Sequence, residues 1–159
     1  PVIAAQMQCD KHVVKMILES GQMLSTAHHV LDKEETFVFY SGVIPKKTHE
    51  NHPCAIWVRE NESNYDWLCQ HFHALLSEYT YRYNKMHKWE CYRSLFSYLP
   101  KNIKRRKPLT THPLCMPDEY KTNDVVQSYR NYYIGDKVSF AKWNKTRKAP
   151  EWWDRVVKE

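Results

Sequence analysis

The chain has 159 residues, 42% of them apolar, with six Trp, eleven Tyr and only three Gly. That length fits one domain able to bury a real core, and many aromatics with few glycines favour a helical globule over a many-turned β fold. A formal charge of +6 and a pI near 9.0 point to nucleic acid first and an acidic membrane surface second; no run of about 18 apolar residues offers a membrane span, and no apolar core of a secretion signal is found.

The chain opens at Pro1 without an initiator Met, so either processing exposes Pro1 or residues lie upstream of it. The first predicted helix runs from about Ile3 to His29. Val13, Ile17, Leu24 and Ala27, helped by Val14 and Gly21, form its apolar stripe. Its opposite face carries His12, Lys15, Glu19 and Gln22 in helical register, with Lys11 beside them. Residues 30–55 read as irregular, with a strand-like run at 36–40, and KKTHENHPCAIW reads as a loop entering a short apolar turn. In the second long helix, Ser63 and Asp66 resemble a capping box, and Tyr65, Leu68, Phe72, Leu75 and Tyr79 form one stripe reaching about Tyr83. A shorter helix is expected over Glu90 to Tyr98, stopped by Pro100. The run KNIKRRKP follows, with five basic residues in seven, and then the Pro-broken loop TTHPLCMPDEY. Asp124 caps a last helix, Val125 to about Tyr133, ending near Gly135. The tail KVSFAKWNKTRKAPEWW interleaves bases and aromatics. No repeat, low-complexity segment or linker divides the chain. The predicted fold class is mostly α: a compact single-domain helical globule with long first and second helices and irregular basic loops.

Several groups of residues have the chemistry of a site. The basic run, with Lys104, Arg105 and Arg106, has the composition of a phosphate clamp, because Lys and Arg neutralise backbone charge without reading sequence. Lys142, Lys145, Arg147 and Lys148 beside Trp143 and Trp152 have the pattern of strand tracking and base stacking, although core packing is the expected fate of most of the Trp residues. His49, His52 and Cys54 have an HxxHxC spacing. A zinc ion needs a fourth ligand, for which His71, His73 or Cys115 are the candidates, but no finger spacing is present. The expectation is no metal, with these histidines donating hydrogen bonds or meeting phosphates. The five cysteines are widely spaced without a CxxC pair, which predicts reduced, mostly buried thiols in a cytosolic setting. Cys9 stands three residues before His12, an arrangement that fits an inert buried thiol better than an activated nucleophile. Glu19 is the singular residue. As an i, i+4 partner of Lys15 it gains only a few tenths of a kcal/mol, in the weaker Lys-before-Glu orientation. Its other reading is a carboxylate that handles protons on a DNA-facing helix.

The phrase CDKHVVKMILE, residues 9–19, resembles the first helix of the phage-type pyrimidine-dimer DNA glycosylases of the endonuclease V type. In that family an acidic-polar-His triplet precedes the catalytic Glu by two turns, as Asp10-Lys11-His12 precedes Glu19 here. His52 before an apolar-aromatic turn and a long helix, and Pro150-Glu151-Trp152-Trp153 after a basic segment, keep the family's order over most of the chain. The resemblance implies a DNA repair glycosylase with AP lyase activity on damaged or modified pyrimidines in double-stranded DNA. It implies no cofactor, a monomer, and a place in the cytoplasm (the host cytoplasm for a phage protein). It further implies that a terminal amine, here that of Pro1, attacks C1′ and forms a Schiff base, while Glu19 assists sugar opening and β-elimination. Lys11, His12, Lys15, Gln22 and His52 would line the DNA face, with Lys104, Arg105, Arg106, Lys142 and Lys145 as further contacts. This sequence departs from the family in four places. Pro1 replaces the usual Thr, Leu18 and Gln22 stand where arginines are expected, and the stretch from Lys101 to Thr111 is extra length. The alternatives are a non-catalytic DNA-binding protein of the same fold and a metal-dependent nuclease built on His49, His52 and His71.

Overall fold

The computed structural model describes residues 1–33 and 43–157, so the strand-like run at 36–40 lies outside the described residues. The fold is mostly α, and no strand occurs among the described residues. The first predicted helix is two helices, α1 (Val2–Met7) and α2 (Asp10–Asp32), separated at Gln8 and Cys9, whose backbones are extended. The cause lies far away in sequence. Arg82 takes the Gln6 and Gln8 carbonyls at 3.0 and 2.7 Å, oxygens that a continuous helix would use internally. The Cys9 and Asp10 N–H groups donate instead to the Tyr133 hydroxyl and the Lys142 carbonyl, at 3.0 and 2.9 Å.

Along α2, Val13, Ile17, Gly21, Leu24 and Ala27 are buried as expected, but Val14 is 37% exposed. Gly21 is a point of close approach: a Cβ there would stand 2.4 Å from the Trp89 ring. The expected turn at 53–60 is a two-turn helix, α3 (Pro53–Glu60), with Pro53 in its first turn and His52 as N-cap, Nδ1 accepting from the Cys54 N–H at 3.1 Å. Asn61 ends α3 and caps α4 (Glu62–Tyr83), its side chain accepting from the Asn64 N–H at 3.0 Å. Ser63, the predicted cap, donates instead to the Lys107 carbonyl. Left-handed Asn84 ends α4, at φ 52°. A 3-10 turn at Lys88–Tyr92 and the single turn α5 (Arg93–Phe96) occupy most of the predicted short helix. A second 3-10 turn, Asp118–Tyr120, precedes α6 (Val125–Asp136), which is capped by Asp124 as expected. The tail ends in α7 (Glu151–Val157), which was not expected.

α4 lies along α2, with α1 and α3 packed against the pair. Val13, Ile17, Leu24, Tyr65, Phe72, Leu75, Leu76 and Phe96 are wholly buried between them. All six Trp are buried or half-buried, and Trp57, Trp67 and Trp89 pack into this core. The tail aromatics turn inward too. Trp143 donates to the Met7 carbonyl at 3.1 Å, and its ring lies 5.0 Å from Trp153.

One buried charge network ties this together. Arg82, its side chain fully buried, bonds Asp10 at 3.1 Å and Glu78 at 2.9 Å. Arg147 from the tail meets Glu78 with two further bonds, at 2.7 and 3.1 Å. Burial alone would raise the Glu78 pKa, but the Arg147 and Arg82 guanidiniums outweigh it and hold the carboxyl below its ordinary value. Asp10 also accepts from the Asn144 and Lys145 N–H groups, at 2.7 and 3.2 Å. The N-terminus, α2, α4 and the tail therefore meet at one staple.

Candidate active site

Successive turns of α2 point His12, Lys15, Met16, Glu19, Gln22 and Met23 into one cleft of about 560 Å³. Steps of three and four place them on one helix face. The facing wall has four sources. The 43–52 loop is pinned to the later turns of α2, where Thr48 and Thr26 exchange two bonds of 3.1 Å and both Ser25 and His29 donate to the Pro45 carbonyl. It delivers His49 and His52, and α3 adds Cys54. The irregular segment before α6 brings Cys115, while α6 and its exit bring Tyr129, Tyr132, Tyr133 and Lys137.

Glu19 and Lys15 are 3.2 Å apart, with side chains 42% and 63% exposed. A pair this open is worth little, so it does not lock the carboxylate away from a substrate. His12 is different. Burial, then Lys137 and Lys15, outweigh the opposing pull of Glu19 and lower its pKa to about 4. At neutral pH it is an uncharged imidazole, set edge-on to Tyr133 at 5.0 Å. Burial pushes the Tyr129 phenol up to about 12 and the Tyr133 phenol higher still, so both remain hydroxyl groups. Burial and the Cys115 partner push the Cys54 thiol up to about 12. Cys9 is wholly buried at the α2 N-cap, in keeping with an inert thiol.

The cleft thus gathers Glu19, His12, Lys15, Gln22 and His52, five of the residues expected from the sequence. It does not gather the rest. Lys11 is exposed, its ammonium 5.1 Å from the Phe140 ring centre. Lys101 and Asn102 donate their N–H groups to Asp32, at the far end of α2. Thirteen residues at 1.5 Å each put Asp32 about 20 Å along the axis from Glu19. Lys104, Arg105 and Arg106 bond to Glu62 at the start of α4. The basic run is therefore a separate exposed patch. Lys142 and Lys145 are bolted to the start of α2 through Asp10, with the Lys145 ammonium 5.7 Å from the Tyr83 ring centre. A second groove, of about 810 Å³, holds Arg130, Arg147, Lys148 and Arg155 beside Trp152.

Pro1 does not line the cleft. Its carbonyl accepts from His71 Nδ1 at 3.2 Å, and His71 Nε2 in turn accepts from Gln8 at 3.2 Å. Gln8 reaches the cleft. Burial lowers the His71 pKa to about 4, against the pull of the Pro1 carbonyl, with the Pro1 amine and His112 lowering it further. Of the cleft residues, Met16, Met23, Thr48, Tyr129, Tyr132, Tyr133 and Lys137 are new. Met16 and Met23 follow from the helical register of His12 and Glu19; the others carry no local signal.

A model of the family described as pyrimidine dimer DNA glycosylase matches residues 3–91, more than half of the chain. The match spans α1 to the first 3-10 turn, and so covers the α2 face and the His52–Cys54 wall but not Cys115 or α6. No curated protein and no solved structure matches the chain significantly. With Glu19 standing in an open cleft on the second helix of the matched span, the chain belongs to the pyrimidine dimer DNA glycosylase family, enzymes of DNA repair whose substrate is DNA.

Proposed function

We propose that this glycosylase removes damaged or modified pyrimidines from double-stranded DNA and then nicks the strand as an AP lyase, with Glu19 as the working carboxylate. The observation that carries the reading is Glu19 itself: a half-exposed carboxylate in a cleft large enough for an extruded nucleotide, flanked on one helix face by His12, Lys15 and Gln22. An amine attacks C1′, the glycosidic bond breaks, and the base leaves with a proton. The resulting aminal opens the sugar as the C1′–O4′ bond breaks, O4′ takes a proton and the amine nitrogen becomes an iminium. Glu19 stabilises the sugar cation and then takes the proton from C2′, and the 3′ phosphate departs. Neutral His12 and Gln22 hydrogen-bond the sugar-phosphate beside it. Exposed Leu18 and cleft-lining Gln22 stand where the family is expected to have arginines, which supports a lesion other than the cyclobutane dimer.

Two amines fit the role. The Pro1 amine, where it is the mature terminus, is a secondary amine able to form an iminium, although Pro1 does not line the cleft. Lys15 is the amine already beside Glu19, at 3.2 Å. Borohydride trapping on duplexes with one abasic site or one dimer, followed by peptide mapping, tests the chemistry and assigns the amine. Failure to trap any adduct removes the lyase activity. Glu19→Gln is expected to lose turnover by about 10²–10⁴-fold with binding nearly unchanged; a fully active variant removes Glu19 from the chemistry.

A further inference from the structure

Two cysteines 61 positions apart in sequence meet on the cleft wall, with Cys54 Sγ and Cys115 Sγ 3.2 Å apart. That is well beyond a disulfide bond of about 2.05 Å, and both thiols are free. A ring nitrogen of His52 completes the group: the three donor atoms all lie within 4.8 Å of one another. The segment carrying Cys115 is held in place from both sides, because Tyr129 donates to the Pro113 carbonyl at 2.6 Å and Met116 is buried. His52 and Cys54 sit on the cap and first turn of α3.

We propose that His52, Cys54 and Cys115 bind a zinc-class divalent cation, with the fourth coordination position open to the cleft that holds Glu19. Two thiolates and one imidazole are the donor set that zinc takes when one position is left for water. In a tetrahedral centre with Zn–S of about 2.3 Å the two sulfurs stand about 3.8 Å apart, so they open by about half an ångström while the His52 ring closes in. Binding releases the two thiol protons to solvent. It also exchanges one bond for another. Nδ1 of His52 now accepts the Cys54 N–H; ligation through Nδ1 uses that lone pair, and ligation through Nε2 puts a proton on Nδ1, so either mode replaces the cap bond by a coordinate bond. The cation would clamp the start of α3 to the segment before α6, fixing the wall opposite α2. No step of the glycosylase reaction is routed through it.

The test uses the full chain with its thiols reduced, titrated with Co²⁺ and then Zn²⁺. One equivalent of cobalt is expected to give sulfur-to-cobalt charge-transfer absorption and the intense visible bands of a tetrahedral site, bleached by zinc, and zinc is expected to raise the thermal midpoint. Cys115→Ser should weaken the charge-transfer band and abolish the zinc-induced rise in midpoint. His52→Asn keeps a good N-cap, so it should fold normally while its cobalt affinity falls at least about tenfold. Three results overturn the site: no charge-transfer band in the wild type, the same spectrum and affinity in the wild type and Cys115→Ser, or a Cys54–Cys115 disulfide in the isolated protein that, once reduced, takes no cobalt. These readouts are independent of DNA, so their failure is distinct from a failure of borohydride trapping.

Discussion

Replacing Arg82 by Met is expected to destabilise the protein by about 3 kcal/mol. The Arg82 side chain is fully buried and donates to four oxygens: the Gln6 and Gln8 carbonyls, Asp10 and Glu78. Methionine fills a similar volume, so the cost is electrostatic rather than a cavity. Breaking a buried ion pair from one side typically costs about 3–5 kcal/mol, because a carboxylate stays behind in low dielectric. Here neither carboxylate is left bare, since Glu78 keeps Arg147 and Asp10 keeps the Asn144 and Lys145 N–H groups. That argues for the low end of the range. With a urea m-value of about 2 kcal/mol/M, the midpoint should fall by about 1.5 M at unchanged slope. Arg147→Met, at a side chain one-third exposed, is the control and should cost about 1 kcal/mol. A loss below about 1 kcal/mol for Arg82→Met would refute the claim that this guanidinium sets the start of α2.

Three further perturbations probe other parts of the molecule. Gly21→Ala brings a Cβ to within 2.4 Å of the Trp89 ring; overpacking should outweigh the helix-propensity gain of about 1 kcal/mol and leave a net loss of about 1–2 kcal/mol, read by urea unfolding with a change in Trp fluorescence. Burial lowers the pKa of both His28 and His71 to about 4. The unfolded chain, with histidines near 6.5, therefore binds more protons between about pH 4 and 6.5, so stability falls as pH drops through that window, by about 2 kcal/mol per histidine at pH 5 relative to pH 7.5. A urea midpoint that stays flat from pH 7.5 to 5 would contradict this. Lys137→Ala removes a cleft cation that donates to the Tyr132 hydroxyl at 3.0 Å and lowers the His12 pKa; the His12 titration followed by NMR should move up, and the slope of log K for DNA against log salt should shrink by about one.

The α2 face was legible in the sequence because helical periodicity is local information: His12, Lys15, Glu19 and Gln22 needed only a helix to share a side. The break at Gln8 and Cys9 was not, because its causes are Arg82 and Tyr133, more than seventy residues away. For the same reason the far wall of the cleft was hidden. Cys115, Tyr129 and Lys137 come from irregular chain and from a helix whose apolar pattern is weak, and only the tertiary fold sets them opposite Glu19. The basic run was visible as a patch, but its place was decided by Asp32 and Glu62, two acids far from it in sequence.

Asp10-Lys11-His12 is therefore less a catalytic triplet than the keyed start of a helix. Asp10 turns inward to Arg82, Lys11 stays outside over Phe140, and His12 enters the cleft. At about 100° per residue, the seven steps from His12 to Glu19 bring the chain back to nearly the same side, while the nine steps from Asp10 end on the opposite side. The buried staple and the cleft carboxylate thus face opposite ways across one helix. Slipping the start of α2 by a single residue would swing Glu19 by about 100°, out of the cleft altogether. The spacing between the triplet and Glu19 follows from this geometry: a fixed carboxylate at the first turn determines which way the second carboxylate must point.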